Sequence, residues 1–267
     1  MEQPKNNFKL VTDKKNARML LPNMLTLIGV CIGLTSIRFA LSGEFHLAII
    51  AIIFAALIDG LDGRIARLIK GTSKVGKELD SLTDMISFGV APAFIMYFWK
   101  LNTFGRFGWL LCLVYVICVA LRLARFNISS NQEPSWKDNF FEGVPSPAGG
   151  ILVLTPLIIS LSGFDYIKIN YDIIVPIFFI ITSFLLISKF PTYSFKKIVI
   201  QRKATIFLLF TIVLFFGLLL IYTFNVIAIS SIIYLSLIPI SFFHYQKMKK
   251  IHENDKIQDE DDLEDVL

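Results

Sequence analysis

Long apolar stretches constrain the fold of this chain more than any other feature. A transmembrane helix needs about 20 predominantly apolar residues, and the 267 residues are 55% hydrophobic with a mean hydropathy of +0.65. The stretches cover roughly 23–42, 45–68, 81–99, 107–127, 145–163, 172–189, 204–222 and 225–244. We therefore expect an all-α polytopic membrane protein with about eight transmembrane helices.

Basic residues predict the orientation of these helices. With a cytoplasmic N-terminus, 22 of the 26 Lys and Arg side chains fall in cytoplasmic segments, as the positive-inside rule requires. Both termini and residues 64–80 are then cytoplasmic. Lys70, Lys74 and Lys77 are expected to lie at the anionic lipid surface, and contact with phosphates is the alternative. The net charge of +5 has the same origin, so we expect no nucleic-acid partner.

The chain divides into three predicted regions. Residues 1–20 form a cytoplasmic arm, either a short interfacial helix or a solvated segment. Residues 21–245 form one transmembrane domain. Residues 246–267 are acidic and lack aromatic side chains, so we expect a disordered cytoplasmic tail.

Four aspartates interrupt the apolar sequence between the second and third predicted helices. Asp59 and Asp62 are three residues apart near the cytoplasmic end of helix 2, and Asp80 and Asp84 are four apart where helix 3 opens. Both spacings place two side chains on one helix face. Because a short loop makes the helices antiparallel neighbours, the four carboxylates are expected to converge just inside the cytoplasmic interface.

Converging carboxylates repel one another, so the site must hold protons or cations. Oxygen ligands without His or Cys favour Mg²⁺, Mn²⁺ or Ca²⁺, and there are enough carboxylates for two ions. Pairing with Arg64 and Arg67 is the structural alternative, but it accounts for only one or two of the acids.

Small residues accompany the acidic ones. Gly63 and Ala66 leave room for a bulky ligand to approach the helix backbone, although small residues also serve helix packing. Gly29 and Gly33, on the first helix, are spaced for close packing against a neighbouring helix.

The spaced pattern D-x2-D-G-x2-A-R-x8-G-x3-D-x3-D runs from Asp59 to Asp84. It resembles the signature of the CDP-alcohol phosphotransferase family at all eight defined positions. Three softer motifs resemble the phosphatidylserine synthase branch of that family: SFGVAPAF (87–94), LRLARFN (121–127) and FEGVPSPAGG (141–150). LPNMLTLIG at residues 21–29 resembles the start of the family's first helix, which lies near the nucleotide.

The resemblance implies a CDP-alcohol phosphotransferase core and a metal-dependent enzyme of phospholipid biosynthesis. Its expected reaction transfers the phosphatidyl group of CDP-diacylglycerol to the hydroxyl of L-serine and releases CMP. The implied cofactors are Mg²⁺ or Mn²⁺, two per site. The implied assembly is a homodimer, with helices 3 and 4 as candidate contacts, in a bacterial inner (cell) membrane.

The resemblance also assigns roles to individual residues. The implied metal ligands are Asp59, Asp62, Asp80 and Asp84, with Asp84 also acting as the general base. The implied CDP contacts are Gly63, Ala66, Arg67, Ser73, Asn23 and Thr26.

Arg122 and Arg125 lie three residues apart at the cytoplasmic end of the fourth predicted helix. Guanidinium groups suit a phosphate or the carboxylate of the acceptor. Membrane anchoring by snorkelling is the alternative.

Two other functions fit parts of this pattern. The same chemistry could use glycerol 3-phosphate or an inositol phosphate as the acceptor. A divalent-metal transporter would also carry acidic residues within membrane helices, although transport sites usually lie near the bilayer midplane.

Overall fold

The computed structural model describes residues 14–69, 73–129, 140–163, 169–193 and 202–264. Within them the chain is almost entirely helical and divides between Cys112 and Leu113 into two compact units. The predicted all-α class is therefore confirmed.

The first unit is built around one central helix. Its elements are α1 (Lys14–Leu41), α2 (Phe45–Leu68), α3 (Lys74–Asp84), a π-helical segment (Met85–Val90), α4 (Ala91–Trp99) and the start of α5 (Arg106–Ser129). Helix α1 packs against α2, α3, the π-helical segment and α4. A π-helical turn widens the backbone spiral and often accompanies functional residues, and this one follows Asp84 directly.

Two glycines let α1 approach the third membrane helix closely. A Cβ atom on Gly33 would lie only 2.5 Å from the Ser87 Oγ, and one on Gly29 would lie 3.3 Å from the Thr83 Cγ2. Ser87 also donates a hydrogen bond to the Gly29 carbonyl oxygen at 3.4 Å. The predicted packing role of both glycines is confirmed, and this contact fixes the position of α1 beside the aspartates.

The third helix begins earlier than the hydropathy pattern predicted. Ser73 is the N-cap of α3, and its side chain accepts a hydrogen bond from the Gly76 N–H at 2.9 Å. Ser is a favoured N-cap because it satisfies one of the free amide groups of the first turn. The expectation that Asp80 opens the helix is therefore wrong, since Asp80 lies in its second turn. Residues 70–72, which include Lys70 and Gly71, lie outside the described residues.

The first membrane helix is also longer than predicted. Helix α1 begins at Lys14, and the part of it that is long and apolar enough to cross a membrane begins at Leu21. Residues 14–20 are therefore helical, and their role as a cytoplasmic arm remains a prediction. Ala, Arg, Met and Leu in this stretch are strong helix formers. The predicted arm over residues 1–13 lies outside the described residues.

The second unit contains the rest of α5, helices α6 (Ser146–Leu161), α7 (Tyr171–Ile187), α8 (Arg202–Ile221) and α9 (Thr223–Glu264), and two short strands, β1 (Phe140–Glu142) and β2 (Pro191–Tyr193). The strands pair antiparallel, with Phe141 opposite Thr192. The sequence did not predict them, because each contains only three residues. Val144, Leu152, Leu185 and Ile238 form a buried cluster of this unit.

The C-terminal segment differs from its prediction. Helix α9 continues to Glu264, so the tail expected to be disordered is helical over residues 246–264. A helix that is already nucleated propagates readily, and no Gly or Pro follows Pro239 to stop it.

Five helical segments are long and apolar enough to cross a membrane, namely Leu21–Leu41, Phe45–Leu68, Val75–Trp99, Arg106–Ile128 and Thr223–Lys249. The apolar helices α6, α7 and α8 are shorter where the structure describes them. Each of the eight predicted stretches corresponds to a helix, and the protein is a multi-pass integral membrane protein. A single domain over residues 21–245 remains a prediction.

Candidate active site

A cavity of about 590 Å³ opens in the first unit, between residues of α1, α2 and α3. It is lined by Pro22, Asn23, Thr26, Asp62, Gly63, Ala66, Arg67, Ser73, Gly76, Lys77 and Asp80. Two carboxylates and two cationic side chains therefore face a space large enough for a small-molecule ligand.

The four aspartates of the signature converge beside this cavity. One carboxylate oxygen from each of Asp59, Asp62 and Asp80 lies within 4.8 Å of the others. The Asp84 carboxyl lies within hydrogen-bonding reach of Asp59. The predicted convergence is confirmed, and it follows from the three- and four-residue spacings on two adjacent helices.

Asp62 is the most buried member of this group, with 3% of its surface exposed. Its Oδ2 accepts a hydrogen bond from the Thr26 hydroxyl at 2.7 Å. Its Oδ1 is buried and has no hydrogen-bond partner among the described residues. A buried carboxylate oxygen without a partner is costly in free energy, so this atom must carry a proton or bind a cation.

The donor set fits a hard divalent cation. Oxygen ligands lie about 2.0–2.6 Å from Mg²⁺ or Ca²⁺, so two ligands of one ion can be separated by no more than about 4–5 Å. The three clustered carboxylates meet this limit. Neither His nor Cys belongs to the cluster, which favours Mg²⁺ or Mn²⁺ over zinc.

All six predicted CDP contacts line the cavity: Asn23, Thr26, Gly63, Ala66, Arg67 and Ser73. A Cβ atom on Gly63 would meet no atom within 4 Å, so the space beside this glycine is open. Arg67 turns back along α2, where its Nε–H donates to the Gly63 carbonyl oxygen at 3.1 Å. The structure thus brings these residues together around one space beside the acidic cluster.

Three further residues line the cavity that the sequence interpretation assigned elsewhere or passed over: Pro22, Gly76 and Lys77. A Cβ atom on Gly76 would lie 2.9 Å from the Asn23 Oδ1, so this glycine lets α3 approach α1. Lys77 also lines the cavity, which favours a contact with a bound ligand over the lipid contact expected from the sequence. Its spacing of three residues from Asp80 was the signal, because such residues share a helix face.

Arg122 and Arg125 belong to the second unit and contact protein groups there. Arg122 Nη1 donates to the Ser146 hydroxyl at 2.7 Å, and Arg125 Nη1 donates to the Ile187 carbonyl oxygen at 2.6 Å. Ser146 begins α6 and Ile187 ends α7, so each arginine ties α5 to the end of another helix. A role in acceptor binding remains a prediction.

The sequence profile of the CDP-alcohol phosphatidyltransferase family matches residues 19–238. The chain belongs to the CDP-alcohol phosphatidyltransferase family. The match spans both units and contains every aspartate of the cluster. It therefore confirms the resemblance on which the predicted metal ligands and CDP contacts were based.

Individual relatives carry one description, CDP-diacylglycerol–serine O-phosphatidyltransferase. The Mycobacterium leprae protein is 46% identical over 144 residues, which cover 53% of this chain and 48% of that protein. The Helicobacter pylori protein is 37% identical over 194 residues, which cover 73% of this chain and 80% of that protein. The Bacillus subtilis protein is 33% identical over 158 residues, which cover 56% of this chain and 86% of that protein. The chain thus spans about half the length of the mycobacterial relatives that it matches.

Proposed function

We propose that the protein is a CDP-diacylglycerol–serine O-phosphatidyltransferase, which transfers a phosphatidyl group from CDP-diacylglycerol to L-serine and releases CMP. The observation that carries the proposal is the cavity, which is lined by the CDP-binding positions of the family signature and lies against a carboxylate cluster. The relatives from Mycobacterium leprae and Helicobacter pylori, which bear this name, support the choice of serine.

Asp59, Asp62, Asp80 and Asp84 would hold two divalent cations, Mg²⁺ or Mn²⁺. Bound there, such ions neutralise a pyrophosphate and stabilise the leaving phosphate oxygen. Gly63 and Ala66 would leave room for the cytidine, while Asn23, Arg67 and Ser73 would orient the nucleotide. Holding the reacting groups in one geometry supplies a large part of the rate enhancement.

The chemical step would be a displacement at phosphorus. The serine hydroxyl oxygen forms a bond to the phosphorus that carries the diacylglycerol oxygen, and the bond from that phosphorus to the bridging pyrophosphate oxygen breaks. CMP leaves with the bridging oxygen. Asp84 accepts the hydroxyl proton as the general base. Arg122 and Arg125 are the proposed contacts of the acceptor, since a guanidinium has five N–H donors and can bind protein and a carboxylate together.

The membrane setting suits a substrate with lipid tails. With the charge distribution of the sequence, the cavity would open at the cytoplasmic face of a bacterial inner membrane. The acyl chains would then stay in the bilayer while the pyrophosphate reaches the aspartates. The homodimer implied by the family resemblance is part of this proposal, and light scattering of the purified protein tests it.

The deciding experiment compares acceptors. The purified full chain receives CDP-diacylglycerol with labelled serine or with labelled glycerol 3-phosphate, each with Mg²⁺ or Mn²⁺. We expect label in lipid, and stoichiometric CMP, only with serine. Label that enters lipid only from glycerol 3-phosphate would overturn the choice of acceptor. Metal flux into vesicles without CMP release would favour the transporter instead.

A further inference from the structure

The Thr26 side chain links the first membrane helix to the aspartates. It is 5% exposed, and its Oγ1 lies 2.7 Å from the Asp62 Oδ2 and 3.0 Å from the Pro22 carbonyl oxygen of its own helix. Thr26 and Asp62 are 36 positions apart in the chain. The hydroxyl therefore makes a tertiary contact, in contrast with the hydroxyls of Thr35 and Thr83, which bond to their own helices.

A threonine hydroxyl has one proton to donate. A carboxylate is a stronger acceptor than a neutral carbonyl, because a charged partner roughly doubles the strength of the hydrogen bond. The shorter of the two distances also leads to the Asp62 carboxylate. The Thr26 proton is therefore committed to Oδ2, and the hydroxyl has no second proton to offer a nucleotide.

Because of this hydrogen bond, the two carboxylate oxygens of Asp62 have different surroundings. Oδ2 is held by Thr26, whereas Oδ1 is buried and lacks a hydrogen-bond partner among the residues the structure describes. A residue that hydrogen-bonds one side of a metal ligand orients that ligand. Its removal commonly weakens metal binding by about 10- to 100-fold.

We infer that Thr26 is a positioning residue for Asp62, which fixes the carboxylate so that Oδ1 is presented to a divalent cation. The inference rests on the proposed metal site and replaces the predicted CDP contact of Thr26. Gly29, three residues further along α1, packs against Thr83, which places this part of α1 beside the third membrane helix.

The test measures metal binding without turnover. The purified full chain is titrated with Mn²⁺ in the absence of nucleotide, and free Mn²⁺ is followed by electron paramagnetic resonance. Thr26→Val keeps the side-chain shape but removes the hydroxyl, and we expect it to raise the Kd for Mn²⁺ about 10- to 100-fold. Thr26→Ser restores the hydroxyl and should bind Mn²⁺ nearly as the wild type does.

Thr35→Val is the matched control. Thr35 lies on the same helix, and its hydroxyl donates to the Cys31 carbonyl oxygen at 2.6 Å, so it has no link to the aspartates. We expect its Kd for Mn²⁺ and its activity to equal those of the wild type. A loss shared by Thr35→Val and Thr26→Val would indicate general damage to α1 and overturn the inference.

Steady-state kinetics separate positioning from nucleotide contact. If Thr26 acts through Asp62, high Mn²⁺ restores the kcat of Thr26→Val, and the KM for CDP-diacylglycerol stays at the wild-type value. A raised KM that Mn²⁺ does not correct would show a direct nucleotide contact and overturn the inference.

Two further outcomes distinguish the inference from the function on which it rests. Wild-type Mn²⁺ affinity in Thr26→Val would overturn the inference and leave the metal site intact. Failure of the wild type itself to bind Mn²⁺ would overturn the metal site of the proposed function and, with it, the role of Thr26.

Discussion

The acidic cluster of the first unit and the arginine pair of the second unit differ in how their charges are met. Asp62 is buried with one oxygen held by Thr26 and the other without a hydrogen-bond partner among the described residues. Arg122 and Arg125 instead donate to protein oxygens at the ends of two helices. Buried polar groups are nearly always paired, so the acidic cluster must hold protons or cations, whereas each arginine has at least one hydrogen-bond acceptor in the protein.

Charge in a membrane helix does not by itself indicate catalysis. The four aspartates and the two arginines all lie at helical spacing, and both sets suit phosphate chemistry. The aspartates combine burial with mutual repulsion, since three of their carboxylates lie within 4.8 Å of one another, whereas each arginine donates to a neutral protein oxygen. We therefore expect loss of the aspartates or of their cations to abolish activity, and loss of an arginine to lower stability and to weaken acceptor binding only modestly.

Removing divalent cations should have the largest effect. Excess EDTA leaves the carboxylates without a counter-charge and removes the stabilisation of the leaving phosphate, so CMP release should fall below detection. Addition of Mg²⁺ or Mn²⁺ beyond the chelator should restore it. Full activity in EDTA would show that the acidic cluster needs no bound cation, and would contradict its proposed role as a metal site.

Asp84→Asn should have the next largest effect. It keeps the size of the side chain but cannot accept the serine proton, so we expect kcat to fall about 10²- to 10⁴-fold. The matched control is Glu78→Gln, which neutralises an exposed acid on the same helix outside the cavity lining. Equal effects of the two substitutions, measured as CMP release, would contradict the assignment of Asp84 as the base.

Gly63→Leu tests whether the open space beside the aspartates receives the nucleotide. Filling a binding space costs about 1–3 kcal/mol, so the KM for CDP-diacylglycerol should rise about 5- to 150-fold. Gly60→Leu is the control, because Gly60 lies one turn away on α2 and its Cβ would also meet no atom within 4 Å. Of these two glycines, Gly63 lines the cavity and Gly60 does not. A KM raised equally by both would indicate a change in α2 and not in the cavity.

Arg125→Gln should have the smallest effect on turnover. It removes a hydrogen bond from a charged donor to the end of α7, which should lower the free energy of unfolding by about 1 kcal/mol at this partly exposed position. Thermal unfolding in detergent measures the change. Arg106→Gln, at the exposed opposite end of α5, serves as the control and should leave the melting temperature unchanged.

The KM of the same Arg125→Gln variant for serine tests whether Arg125 also contacts the acceptor. If the arginine mainly holds the fold, the KM for serine should rise by less than about 10-fold, which corresponds to about 1.4 kcal/mol. A larger rise with an unchanged melting temperature would place Arg125 at the acceptor and make the two regions functionally alike.

Several features of the site could be predicted from sequence because they are local. The helical repeat places Asp59 with Asp62, and Asp80 with Asp84, on common faces. The lengths of the apolar stretches predicted the separate helices, and α2 has the predicted bounds, Phe45–Leu68. Helix ends were less predictable where a cap decided them, as Ser73 did for α3, or where good helix formers continued a membrane helix, as in α9.

The class of fold, the pairing of acids along each helix and the family signature can all be identified from the sequence alone. Only the tertiary structure decided which atoms meet: it brought the Thr26 hydroxyl to Asp62, Asn23 to Gly76 and Lys77 into the cavity. The physical reason is that helical spacing fixes neighbours within one helix, whereas contacts between helices depend on packing. Here the spacing of Gly29 and Gly33 indicated close packing, but only the structure showed that the partners are Thr83 and Ser87.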